Sequence, residues 1–322
     1  MEKDFPTPAS TPRPVRSVLG SISYQSMGIT DAHNHVWIDP IMGVDPRAPV
    51  LNQFEMICAE LASYRTAGGN SLLDCQPGGC GRNGNQLIRL SAASGVNIIA
   101  CTGFHRKKYY PANHWLFTAS PQKAAAYFIG ELTGSLEETR NLPEPAQAGF
   151  IKLALEASWD ESPRSALEGA AHAAHETGAM IEVHTEKGAL AEKAVVFFED
   201  HGVSPHRLVL CHMDKRPDFG LQSELARYGV LLEYDTFYRP KYSPETNLWP
   251  LICKLVEAGL AEQVALATDM AEAELYKLIG RGPGLASLPG EIKSRLSRLG
   301  IPPVAIQQML GGNIARRLAG FE

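Results

Sequence analysis

From residue 28 to residue 269, eight short runs rich in β-branched residues alternate with longer segments of helical periodicity. The runs are "GITDAH" (28–33), "NSLLDC" (70–75), "NIIACTG" (97–103), "GFIKLAL" (149–155), "MIEVHT" (180–185), "RLVLCH" (207–212), "VLLEYD" (230–235) and "VALATD" (264–269). Between them lie segments such as "QFEMICAELASYRTAG", "SPRSALEGAAHAAHETG" and "NLWPLICKLVEAG", whose apolar residues recur every three or four positions and which end in glycine, as helices often do. A last helix is expected over "PPVAIQQMLGGNIARRLAG". Eight strand–helix units in one unbroken series predict a (β/α)8 barrel in preference to an open doubly wound sheet. Residues 1–26 are expected to form a proline-rich tail and a short hairpin turning at Gly20. Residues 27–322 are expected to form one barrel domain.

Composition narrows the function classes. The chain is 44% hydrophobic with a net charge of −5, which suits a soluble globular body and gives no global pull toward nucleic acid or an acidic membrane surface. No apolar run approaches the ~20 residues that span a bilayer, and the first residues lack the apolar core of a secretory signal. Six cysteines without a CxxC pair read as thiols in a reducing cytoplasm.

Active sites of such barrels form where strands end and loops begin. His33 and His35 close the first strand, Lys152 lies within the fourth, and His184, His212 and Asp269 close the fifth, sixth and eighth. In extended chain, residues i and i+2 share a face, so the two imidazoles of "HNH" can meet one cation; on a helix they would diverge. Taken singly, a strand-end histidine is usually a hydrogen-bonded structural residue, and Asp269 could simply cap the next helix. Lys152 is harder to dismiss, because an uncompensated ammonium on a core-facing strand position is costly. The coincidence at five strands points to a metal site.

With those residues in view, the chain resembles the phosphotriesterase family of the amidohydrolase superfamily. The likeness runs from "VRSVLGSISYQSMGITDAHNH" to "GGNIARRL", with "AGFIKLA", "EVHT", "LCHMD" and "ATDM" in family order between. It implies two divalent ions, zinc first, with manganese, cobalt or iron(II) able to take the same ligands. It also implies that CO2 carboxylates Lys152 into a carbamate bridging both ions. His33, His35 and Asp269 would hold the more buried ion, and His184 and His212 the more exposed one. Some relatives carry a bridging Glu one place after the lysine; that place is Leu153 here. The resemblance further implies a homodimer, and hydrolysis by a hydroxide shared between the ions, with Asp269 taking the proton. His105, His114, His172, His175, His201 and His206 match no ligand motif.

Substrate class is read from the loops. "HRKKYYPANHW" (105–115), "DKRPD" (214–218) and "YRPKYSP" (238–244) make the barrel mouth more basic than its body. His105, Lys107, Lys108, Tyr109, Arg239 and Lys241 are the candidate substrate-binding residues. They suit a small anionic or polyhydroxylated substrate. "TGFHRKKYYP" and "YRPKYSP" resemble the corresponding loops of the family's sugar-lactone and phosphorylated sugar-lactone hydrolases, so the expected reaction is opening of a polar sugar-type or hydroxy-acid lactone. Relatives that bind a terminal phosphate use an arginine soon after the last metal-binding Asp. Here that stretch holds Glu272 and Glu274, which favours the unphosphorylated lactone. The alternative is hydrolysis of a small N-acylated acid or an organophosphate ester at the same centre. A non-catalytic binding barrel would need a lost ligand, and none is lost.

Overall fold

The computed structural model describes residues 12–321 of the chain, so most of the expected tail lies outside the described residues. A hairpin comes first, with β1 (Val15–Ser17) antiparallel to β2 (Gly20–Ile22). Its turn is Val18–Leu19; Gly20 opens the second strand instead, at φ +111°. Eight parallel strands then follow in sequential order around a barrel. They are β3 (Ile29–Asn34), β4 (Gly69–Asp74), β5 (Asn97–Gly103), β6 (Phe150–Ala154), β7 (Ile181–His184), β8 (Leu208–Cys211), β9 (Leu231–Tyr234) and β10 (Val264–Leu266).

Seven helices alternate with the strands: α1 (Phe54–Thr66), α2 (Gly84–Ser94), α3 (Pro121–Thr133), α4 (Arg164–Thr177), α5 (Ala191–Asp200), α6 (Phe219–Arg227) and α7 (Leu248–Glu257). Asn83, Ser120 and Asp218 start α2, α3 and α6 by accepting a hydrogen bond from a first-turn amide. No described helix is long and apolar enough to cross a membrane.

The C-terminal stretch departs from the expected single helix. Two short helices, α8 (Lys277–Gly280) and α9 (Lys293–Arg298), precede α10 (Pro303–Gln307) and α11 (Asn313–Leu318). A break at Leu310–Gly311 separates the last two, and Gly311 adopts φ +146°. A Cβ on Gly311 would stand 2.3 Å from the Gly28 carbonyl oxygen, so the kink lets the chain pass against the base of β3.

β10 and β3 close the barrel through side chains as well as backbone. The Asp31 carboxylate accepts from the Thr268 amide (3.1 Å) and hydroxyl and from Asn34 Nδ2 (2.9 Å), while Asp269 N–H donates to His33 O (3.0 Å).

Reading each strand in steps of two gives the interior its layers. Leu73, Ile99, Phe150, Val209 and Leu231 form an apolar floor, sealed from below by Val15, Ile314 and Leu318. One step higher stand Cys75, Cys101, Lys152, Cys211, Glu182 and Glu233, all buried. One step higher again come His184 and Asp235. The intervening residues Ile151, Leu153, Ile181, Val183, Leu210 and Leu232 join the other core, between sheet and helices.

Candidate metal centre

β3 does not run straight to its histidines. Asp31 pairs with Leu72 and Asn34 with Asp74, so three steps on β3 face two on β4. This bulge re-aims the end of the strand. His33 and His35 are both buried, and each Nε2 lies 3.6 Å from Asp269 Oδ1. Asp269 and His212 reach the centre from left-handed backbone, at φ +44° and +62°, a conformation L side chains rarely adopt and one that recurs at functional sites.

Three of the four strand-end histidines spend one ring nitrogen on a fixed acceptor and turn the other inward. His33 Nδ1 is 2.8 Å from Glu233 Oε2, His35 Nδ1 is 2.7 Å from Gln76 Oε1, and His212 Nδ1 is bonded to Asp235 Oδ2. The inward His212 Nε2 meets His184 Nδ1 at 2.8 Å. Burial pushes His33 well below the usual histidine range, lowers His35, and takes His184 down to about 3. These three rings are therefore neutral imidazoles near pH 7, with lone pairs available to a cation.

Lys152 stands below them. Its Nζ lies 3.0 Å from Glu182 Oε1, 3.1 Å from Cys211 Sγ and 3.4 Å from His33 Nδ1. Burial works against its charge, but Cys211, Glu182 and Glu233 together hold the ammonium well above its ordinary range. The ammonium therefore has a partner, which reading the lysine's own strand does not reveal. Glu182 sits opposite it in register on β7. Both glutamates can be found from sequence by asking what lies two residues before His184 in "EVHT" and before Asp235 in "LLEYD".

The residues present offer candidate ligands for divalent cations. One ligand atom each from His33, His35 and Asp269 lies within 4.8 Å of the other two, and His33 joins further such groups with His212, Glu233 and Asp235, and with Glu182, Cys211 and Glu233. Glu182, Glu233, Asp235 and Asp269 are buried around Lys152, so carboxylates outnumber the buried cation. Glu182 Oε2, Glu233 Oε1, Asp235 Oδ1 and His184 Nε2 are buried without a hydrogen-bond partner. An excess of buried acceptors beside neutral imidazoles is the donor chemistry of zinc and similar ions.

Above the centre the loops enclose a polar pocket, about 710 Å³ counted out to open solvent. His105, Lys108, Tyr109, Arg239 and Lys241 line it; Lys107 does not, since its Nζ donates to the Glu161 carbonyl (2.6 Å). His105 packs 5.6 Å from the His184 ring, and its Nδ1 accepts from the Arg106 amide (2.7 Å). Burial keeps that ring neutral, which leaves the proton on Nε2. Arg239 is engaged by Asp269 Oδ2 (3.2 Å) and Glu272 Oε2 (2.8 Å). His212 and Arg239 hold Asp269 below the usual carboxylate range, although burial alone would raise it. Arg106, Glu186, Lys215 and Tyr242 also line the pocket and carry no motif of their own. The ammonium groups of Lys215 and Lys241 lie 5.3 and 5.1 Å from the Tyr242 ring centroid.

Comparison with known proteins shows the family and the fold. A phospho-furanose lactonase of Mycoplasmopsis synoviae is 29% identical over 325 residues, covering 94% of this chain and 91% of that one. The phosphotriesterase homology protein of Escherichia coli is 26% identical, covering 91% of this chain and 98% of its own length. In fold, the chain matches the crystal structure of a lactonase from Listeria monocytogenes at a TM-score of 0.88 and 22% identity, covering 96% of this chain and 100% of that one. The family model described as the phosphotriesterase family matches residues 13–318, and the chain belongs to that family.

Proposed function

We propose that this chain is a metal-dependent lactonase that opens a small, polar, sugar-type or hydroxy-acid lactone. The observation that carries the reading is the division of labour within His33, His35 and His212, each with one nitrogen fixed by Glu233, Gln76 or Asp235 and the other turned to a common centre. His33, His35 and Asp269 would hold one divalent ion and His184 and His212 a second, with Lys152, as its carbamate, between them. Zinc suits the nitrogen and oxygen donors best. Two such ions supply Lewis acidity and an activated water.

The chain's own residues do the rest. Asp269, oriented by Arg239, accepts the proton that water loses as it adds to the acyl carbon. The ring acyl–oxygen bond breaks, and that proton passes to the departing alkoxide, giving a free hydroxy acid. His105 Nε2–H is placed as a donor to the substrate. Lys108, Lys215 and Lys241 draw in hydroxyl or anionic substituents. The relative named for a phospho-furanose substrate and the lysines beside Tyr242 favour including phosphorylated lactones, which the glutamate at position 272 argues against.

The test is a panel of hydroxylated lactones, each free and phosphorylated, assayed against the zinc-loaded protein beside N-acyl amino acids and paraoxon. We expect kcat/KM on the best polar lactone to exceed that on paraoxon by at least about tenfold, or about 1.4 kcal/mol. Turnover of an amide or phosphotriester with no lactone hydrolysed overturns the substrate reading.

A further inference from the structure

Three of the strand-end histidines have their outer nitrogen fixed; His184 does not. Its Nδ1 is turned to the centre, 2.8 Å from His212 Nε2. A neutral ring so placed carries its proton on Nε2, and that nitrogen is buried with no hydrogen-bond partner. Its acidic neighbour is Glu186, whose Oε2 stands 3.8 Å away, about 1 Å beyond a good hydrogen bond. The same oxygen is held by Arg106 Nη1 at 2.5 Å.

The backbone leaves Glu186 free to change partner by rotating its side chain alone. Thr185, just before it, donates its hydroxyl to the Cys211 carbonyl (2.7 Å) and accepts from the Gly188 amide (3.1 Å). Lys187 and Gly188 then turn through left-handed φ angles of +55° and +69°. The main chain on both sides is thereby pinned, while the Glu186 side chain is 33% exposed. Arg106 is anchored independently. Its Nε lies 3.1 Å from Glu156 Oε2, and Glu156 Oε1 accepts from the Lys107 amide (2.8 Å). Arg106 therefore keeps a carboxylate when Glu186 lets go.

Which partner Glu186 takes depends on the state of His184. A guanidinium is a stronger donor than a neutral imidazole, so Arg106 holds the carboxylate. A cation on Nδ1 polarises the ring and strengthens Nε2–H as a donor, the usual setting of a carboxylate behind a metal-bound histidine. We propose that Glu186 is the positioning residue of His184, held in reserve by Arg106 and released to Nε2–H when the exposed ion is in place. The ion seated by His184 and His212 then competes with the loop carrying Arg106 for one carboxylate, and it binds more weakly than its buried companion. This role rests on the metal assignment proposed above and not on the lactone.

Zinc affinity, measured by competition with a fluorescent chelator, is expected to resolve a tighter and a weaker ion. Glu186→Ala should weaken the weaker ion about tenfold and leave the tighter one within about twofold. Glu186→Gln should recover most of that loss, because its amide oxygen still accepts from Nε2–H. Arg106→Met should strengthen the weaker ion, by about threefold, and should have no effect once Glu186 is replaced by alanine. A purely structural Arg106–Glu186 pair gives losses in both single variants. A simple charge effect gives equal losses in Glu186→Ala and Glu186→Gln, and a gain from Arg106→Met that survives in the double variant. Either pattern, or wild-type affinity throughout while His184→Ala loses zinc, overturns the positioning role and leaves the metal assignment standing. Wild-type protein that holds zinc no better than His184→Ala defeats both.

Discussion

Lys152 Nζ lies 3.0 Å from Glu182 Oε1, its register partner on the neighbouring strand. An ammonium and a carbamate both keep an N–H for that oxygen, so the contact is compatible with either form. With the carbamate, Lys152→Ala should lose activity and most of its metal, and a short carboxylate such as acetate or propionate should restore part of both. Carbon-13 NMR of protein equilibrated with labelled bicarbonate should show a carbamate resonance absent from Lys152→Ala. A bare ammonium beside a fully loaded metal pair would refute the proposal.

Metal content gives the second prediction. His33→Ala and His184→Ala should each lose most of the roughly two ions per chain expected for such a pair, measured by plasma mass spectrometry. Asp235 touches His212 Nδ1 and belongs to none of the proposed ligands. Removing it in Asp235→Ala should weaken metal binding by roughly 10–100-fold in a chelator competition, because the ring is no longer held in its tautomer and orientation. Wild-type affinity in Asp235→Ala would show that His212 is oriented by packing alone.

Strand centres were legible in this sequence because β-branched runs buried on both faces have few other uses. The ends were less so. "VALATD" reads as six strand residues, yet pairing with β9 stops at Leu266, where the chain turns toward the left-handed Asp269. The six proposed ligands share one region because strand ends of a barrel converge, and that much is visible from spacing. What spacing hides is the support around them. Gln76 follows β4 with no motif, and the β3 bulge depends on closure against Thr268. Glu182 and Glu233 were readable only by stepping inward two residues at a time. The break at Leu310–Gly311 depends on the approach of Gly28, 283 positions before Gly311 in the chain.

A buried ion network away from the centre predicts a stability effect. Arg82, fully enclosed, donates to Glu131 (2.9 Å from Nη1), to Glu138 (2.7 Å from Nε) and to the Cys101 carbonyl (2.6 Å). Arg82→Met keeps the bulk and strands two carboxylates, which should cost about 3–5 kcal/mol in urea unfolding. Adding Glu131→Gln and Glu138→Gln should recover part of that loss, since neutral amides are less costly to leave unpaired. A single variant within 1 kcal/mol of wild type, roughly the scatter of ordinary surface changes, would mean the network is balanced by desolvation.

Asp74, at the end of β4, makes stability depend on pH. Its Oδ1 accepts from the Val36 amide at 2.7 Å, while its buried Oδ2 has no partner. Burial raises this carboxyl from 3.8 to about 7. Between those values the folded chain keeps the proton and the unfolded chain has lost it. The unfolded state therefore binds fewer protons, so this group's contribution to stability falls as pH rises from about 4 to about 7 and is level above that. Asp74→Asn keeps an acceptor for Val36 and removes the titration. Relative to wild type, the variant should gain stability from pH 5 to pH 7.5, on the order of 2–3 kcal/mol. Thermal unfolding of both proteins at the two pH values, at one fixed metal concentration, measures the difference directly. A stability difference between variant and wild type that does not change with pH would show that Asp74 is already ionised in the fold, its charge carried by Arg82 and water.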